Sequence, residues 1–185
     1  MACTLRRTGL AAMALCMMAG LPTTPVDAAG AITTSVFLPL VGTVFLPGDP
    51  CVPPPGENVA LNGLVHVVSI VPPPPISQSS SPPPIKLYFN IADLIGTGSS
   101  THNTYIGTGA MNFVFQPTDP CLPTDPCHPP PVQFSLQSTV GCAAQPLIVN
   151  FALAFGATGH LLQDSSSASL PQCTSDNPSL CGGGG

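Results

Sequence analysis

From Ile85 to Ile91 the apolar residues Ile85, Leu87, Phe89 and Ile91 alternate with Lys86, Tyr88 and Asn90. Successive side chains of a strand point to opposite faces, so a clean period of two predicts a strand with one face buried. The same alternation recurs twice downstream. Val132, Phe134 and Leu136 interleave with Gln133, Ser135 and Gln137, and Leu147, Val149, Phe151, Leu153 and Phe155 share one parity. Upstream, Val36, Leu38, Leu40, Val44 and Leu46 do the same, with Pro39 and Gly42 as breaks. A proline cannot donate to a ladder, which places that first strand at a sheet edge. Residues 59–71 are apolar on both parities and read as a strand covered on both sides. Segments rich in proline separate these runs: 47–56 is turn chemistry throughout, and 72–84 is a stiff connector of prolines and serines. The expected fold is all-β, an antiparallel β-sandwich or barrel of about six to eight strands with proline-rich loops.

The stretch around the glycines is the most informative about register. Two Gly-Thr-Gly triplets, at 96–98 and 107–109, flank a polar turn. A symmetric hairpin would set Gly96 opposite Gly109 and Gly98 opposite Gly107, and opposed residues share a face. Carried on without a break, that register pairs inward Ile91 with Val114, which has the wrong parity. One extra residue between Ala92 and Ile95 repairs it, pairing Ile91 with Phe113 and Phe89 with Phe115. A β-bulge is therefore expected there, with Asp93 in or beside it.

Arg6 and Arg7 precede an apolar run from Leu10 to Gly20, and Val26-Asp27-Ala28 offers small residues for cleavage. Residues 1–28 read as a secretory signal peptide. Gly9 and Leu15 depart from what twin-arginine export and a lipoprotein site at Cys16 would require, and the run is short for a membrane span. The mature chain of about 157 residues is the size of one domain, 29–162, with a Ser- and Gly-rich tail at 163–185. It is expected to be secreted or periplasmic, with no transmembrane anchor once the leader is removed. Its only Lys or Arg is Lys86. Nucleic acid and anionic membrane surfaces need clustered basic side chains, so neither is an expected partner. With 6% charged residues, the surface has little to keep copies and partners apart.

Of the eight cysteines, Cys3 and Cys16 fall in the leader, leaving Cys51, Cys121, Cys127, Cys142, Cys173 and Cys181. An even set in an exported chain points to disulfides. In an up-and-down meander the loops alternate between ends, which favours Cys51 with Cys142, Cys121 with Cys127, and Cys173 with Cys181. Residues 114–121 and 125–131 echo 44–55, a strand end followed by a cysteine-bearing proline turn, and the echo reads as shared turn composition.

No catalytic motif stands out. His66, His102, His128 and His160 form no metal-binding spacing. Residues distant in sequence can still converge, with His66, His102 and Asp93 the foremost candidates for a metal site, and no cofactor is expected. The glycine run at 96–100 matches neither a nucleophile elbow nor a phosphate loop. What remains is a strip without side chains, Gly96, Gly98, Gly107 and Gly109, flanked by Tyr105 and Met111. It serves either to relieve crowding between sheets or as a shallow binding groove. The composition therefore supports a disulfide-stabilised surface, structural or protein-interaction module. The alternative is a carrier of a small apolar ligand inside a barrel, for which a cavity lined by Phe89, Met111, Phe113, Phe134 and Phe151 would be needed. An enzyme built from convergent histidines is the third possibility.

Overall fold

The structure is a computed structural model that describes residues 30–49, 52–73 and 82–171. They form an all-β, antiparallel sheet that nearly closes into a barrel. The strands are β1 (Ile32–Asp49), β2 (Val52–Val71), β3 (Ile85–Gly98), β4 (Thr104–Thr108), β5 (Ala110–Phe115), β6 (Val132–Ser138), β7 (Gln145–Ala152) and β8 (Ser167–Ser169). Their order is β1-β2-β3-β4-β6-β7-β8, an up-and-down meander, with β5 also pairing β3. β1 is terminal in that order, where Pro39 takes no donor from a neighbouring ladder. The barrel draws together where Leu170, just past β8, lies against Gly42 of β1. Thr34 and His160 add a side-chain hydrogen bond of 3.2 Å across the same seam.

The interior is one apolar cluster built from alternate residues of each strand, among them Leu38, Leu40, Val65, Val67, Leu87, Phe89, Phe134, Leu136, Leu147 and Phe151. Phe89 packs against Phe151 at 4.5 Å between ring centroids and against Phe113 at 5.5 Å. From Glu57 on, β2 buries one parity only. Val59, Leu61, Val65 and Val67 are inside, while Leu64 is exposed on the other face, so residues 59–71 are not covered on both sides. Apolar residues on both parities here mean an apolar exterior.

The bulge is present, with its position sharpened. Leu64 pairs with Asp93 and Val65 with Ile91, leaving Ala92 as the extra residue. On the other side of β3, the register with β4 (Ile95↔Ile106) and with β5 (Asn90↔Ala110) also differs by one residue. The burial pattern shows why the residue is needed: before it Ile85, Leu87 and Phe89 are buried, and after it Leu94, Gly96 and Gly98. One extra residue moves the inward face from odd to even numbers. Gly63 makes room for it, because a Cβ at that position would collide with the Asp93 carbonyl oxygen.

The hairpin register itself differs from expectation. Gly96 pairs with Tyr105, and Gly98 N–H donates to Asn103 O at 3.0 Å. Phe89 pairs with Met111 and Leu87 with Phe113, not Phe89 with Phe115. The offset is an even number of residues, so the inward faces survive although the partners change. The glycine symmetry misled because the turn is closed at 99–103, with His102 at φ 58°. The first turn is also tighter than its prolines imply. β1 runs unbroken through Pro39 and Gly42 to Asp49, and β2 resumes at Val52.

At the opposite end Cys121 and Cys127 form a disulfide, with 4.8 Å between their Cα atoms. Cys127 exchanges backbone hydrogen bonds with Leu153, and Phe155 N–H donates to Cys121 O, so this loop caps the end of the barrel. Cys142 is disulfide-bonded too; Cys51, Cys173 and Cys181 lie outside the described residues, as does the signal sequence. The segment expected to be a tail contributes β8 and Leu170 before the described residues end.

Candidate functional site

Gly96, Gly98 and Gly107 face inward and are buried. The space above them is occupied. A Cβ on Gly96 would come within 2.6 Å of Leu61 and 2.7 Å of Val59, one on Gly98 would meet the Glu57 carboxylate, and one on Gly107 the side chain of Leu94. Gly109 lies apart, exposed, with φ 129°. Tyr105 is buried and Met111 exposed, so the two do not flank a common groove. The strip is a recess in the inner wall, filled by the chain's own side chains.

Glu57 fills the Gly98 end of it. The residue is 2% exposed, and its partners among the described residues are hydroxyl and N–H groups. Oε1 accepts from Tyr105 Oη at 2.7 Å and Thr101 Oγ1 at 2.8 Å. Oε2 accepts from Ser100 Oγ at 3.0 Å and from the Ser100 and Thr101 backbone N–H groups at 3.1 and 3.0 Å. Burial by itself pushes the carboxyl pKa up. Hydrogen bonds from Thr101 N–H, Tyr105 O–H, Thr101 O–H and Ser100 N–H outweigh it and lower the pKa from 4.5 to about 2. A carboxylate with its lone pairs occupied and so low a pKa neither donates nor takes up a proton near neutrality. Its work is structural: it pins the turn at 99–103 onto β2 and plugs one end of the barrel. Sequence reasoning passed over it. The available signal was a lone Glu preceding a strand, in a chain with a single lysine to pair with and a Ser-Ser-Thr turn rich in donors.

The histidines stay apart. His66 stacks on Phe37 at 4.7 Å and shares a 2.6 Å hydrogen bond with Ser35 Oγ on the outer face. His102 sits in the turn and Asp93 beside the bulge, both exposed. Among the described residues no three His, Cys, Asp or Glu side chains come close enough to hold a metal ion. Surface depressions lie among the described residues. One of about 440 Å³ runs along the β1–β8 seam between Val41, Phe45 and Leu170, and one of about 370 Å³ lies between Phe115 and the Cys127-His128 loop.

The outer wall of β1 to β4 is the unusual surface. Val41 pairs with Asn62, Asn62 with Ile95, and Ile95 with Ile106, so one row crosses the four strands. Val41 is 67% exposed, Ile95 51% and Ile106 44%. Leu64 lies on the diagonal of that row, and Phe37 and Tyr88 add exposed rings along the strands. Among the described side chains on this wall only Lys86 and Asp93 carry charge. Asn62 stands between Val41 and Ile95 in the row. No helix of the described residues is long and apolar enough to cross a membrane. The chain matches no protein-family model, no curated protein and no solved structure.

Proposed function

We propose that the chain is a secreted, disulfide-stabilised β-domain that works as a surface, structural or protein-interaction module, and that the outer wall of β1 to β4 is its contact surface. The observation that carries this is the uncharged row Val41, Ile95 and Ile106 with Leu64 beside it, left in solvent on a barrel whose interior is already apolar. Burying apolar area is the main favourable term in most association, and charged residues are depleted where partners meet. The wall has both properties.

A carrier of a small apolar ligand is the second reading, and the interior weighs against it. Phe89, Phe134 and Phe151 are buried within the core cluster, the Phe89 ring lies against Phe151 and Phe113, and Met111 is exposed instead of lining a chamber. An apolar interior also argues against a membrane-spanning barrel, whose interior is polar.

Replacing Val41 by Glu and Ile95 by Lys tests the wall. Both side chains point outward, so thermal melting is expected to stay within the small range of surface substitutions. Retention of the protein on a phenyl-bearing matrix is expected to fall. Unchanged retention with unchanged melting would place the contact surface elsewhere.

A further inference from the structure

Cys142 is disulfide-bonded, and it lies at the end of the barrel that Glu57 plugs. Tyr105 pairs with Ser138, and Thr139 N–H donates to the Thr104 carbonyl at 2.9 Å, so the β6–β7 connection stands beside the turn at 99–103. The tip of the β1–β2 hairpin belongs to the same end, because Leu46 pairs with Glu57 and Asp49 with Val52. A hairpin tip standing off in solvent exposes its side chains, yet Val52 is 3% exposed. Gly56, at φ 124°, and the register shift between Pro47 and Asp49 bend the hairpin there. The tip is therefore folded onto the barrel, and Cys142, 8% exposed, is turned into the same covered end. Cys121 and Cys127 are bonded to each other at the opposite end. With the leader set aside, Cys51, Cys173 and Cys181 are left as partners for Cys142.

We propose that Cys142 is bonded to Cys51, and that this bond is the covalent closure of the barrel along the part of its seam that no ladder joins. Cys51 lies outside the described residues, but its chain neighbour Val52 is fixed in the β1–β2 ladder. The assignment leaves Cys173 and Cys181, eight residues apart, to each other. Its effect follows from the topology. β8 pairs β7 only from Asn150 to Ala152, and Leu170 meets β1 at Gly42. Farther toward Asp49, among the described residues, no ladder joins β1 to β7. A bond from Cys51 to Cys142 ties the β1–β2 turn to the β6–β7 turn across that stretch. It also encloses β2 to β6, whereas Cys121 and Cys127 are six residues apart, so it restricts the unfolded chain far more. The bond forms by thiol–disulfide exchange: two thiols give up two electrons and two protons to an external disulfide such as oxidised glutathione, which leaves as two thiols. Reduction by a dithiol reverses the step and opens the seam. The proposal is separate from the outer-wall reading, since it rests on the ends of the strands and not on their outward side chains.

Peptic digestion of the unreduced full mature chain, followed by mass spectrometry, reads the pairing directly, because acid suppresses the thiolate that drives exchange. A cross-linked pair carrying Cys51 and Cys142 is expected. Cys142 joined to Cys173 or Cys181 overturns the proposal. Amide hydrogen exchange then reads the closure, in a chain with Cys51→Ala and Cys142→Ala together. Its melting is expected to fall by about 10 °C. Below that temperature, exchange should quicken by about tenfold or more at 44–46 and 147–149 and stay unchanged at 65–67. Equal quickening of all three segments overturns the closure, as does opening of the seam by Cys121→Ala with Cys127→Ala. Graded reduction of the wild-type chain gives the same reading without a variant. Seam exchange should rise in step with loss of the Cys51–Cys142 pair, and a rise that tracks loss of the Cys121–Cys127 pair instead overturns the closure.

Discussion

Glu57 secures the turn at 99–103 through hydroxyl and N–H donors, and that choice of partners has measurable consequences. Hydrogen bonds to a charged group contribute more than neutral ones, and removing the charge leaves Tyr105 O–H and the turn N–H groups poorly matched, so Glu57→Gln is expected to cost about 2–3 kcal/mol in denaturant unfolding. The folded pKa is depressed from 4.5 to about 2. The stabilisation is therefore fully present above about pH 4.5 and is lost as pH falls through about 2. Urea midpoints measured from about pH 5 down to about pH 2 should converge for wild type and Glu57→Gln; parallel curves would contradict the assignment. Ser69 is the opposite case. Its hydroxyl is fully buried without a hydrogen-bond partner among the described residues, so Ser69→Ala should raise stability by about 1 kcal/mol. Neither residue was visible in a pattern of apolar positions. A buried polar group is recognised by its partners, and Glu57 finds its partners more than forty residues along the chain, at separations of 43, 44 and 48.

At the scale of elements, the alternation at 85–91 and its repeats specified strands, inward faces and the need for one extra residue in β3. Parity is local information, and a single strand carries it. Partner choice is not local. The β3–β4 register was displaced because two Gly-Thr-Gly triplets look symmetric, whereas the turn is determined by Glu57 and by a residue at positive φ. Ala92 is exposed and lies outside both ladders of β3, so its substitution by Ser should change stability by less than about 0.5 kcal/mol. Its deletion should abolish the fold, because it turns half of β3 inside out. Circular dichroism and amide chemical-shift dispersion would report both outcomes. The glycine strip makes a related prediction. Gly107→Val would drive a branched side chain into Leu94 and is expected to cost about 1–3 kcal/mol. Loss of association with melting unchanged would instead revive the groove.

Over the whole molecule, the period-two runs and short links pointed to an all-β antiparallel architecture, and the barrel-like meander settles which one forms. The proline-rich segments were harder to read: 47–56 supplies strand residues on both sides of a short connection, because proline tolerates extended backbone even where it interrupts pairing. The apolar wall is present in the sequence as the both-parity run at 59–71, which by itself reads as a strand covered on both sides. Only closure of the sheet shows which face is core and which is left to solvent. In the proposed function the contact surface lies on the outside of a barrel whose interior is an apolar cluster. Titration with a fluorescent apolar probe such as a conjugated fatty acid tests it most directly. The expected result is weak, unsaturated binding that disappears when Val41→Glu and Ile95→Lys are combined. Saturable one-to-one binding that survives those substitutions would place the ligand in the interior and contradict the account.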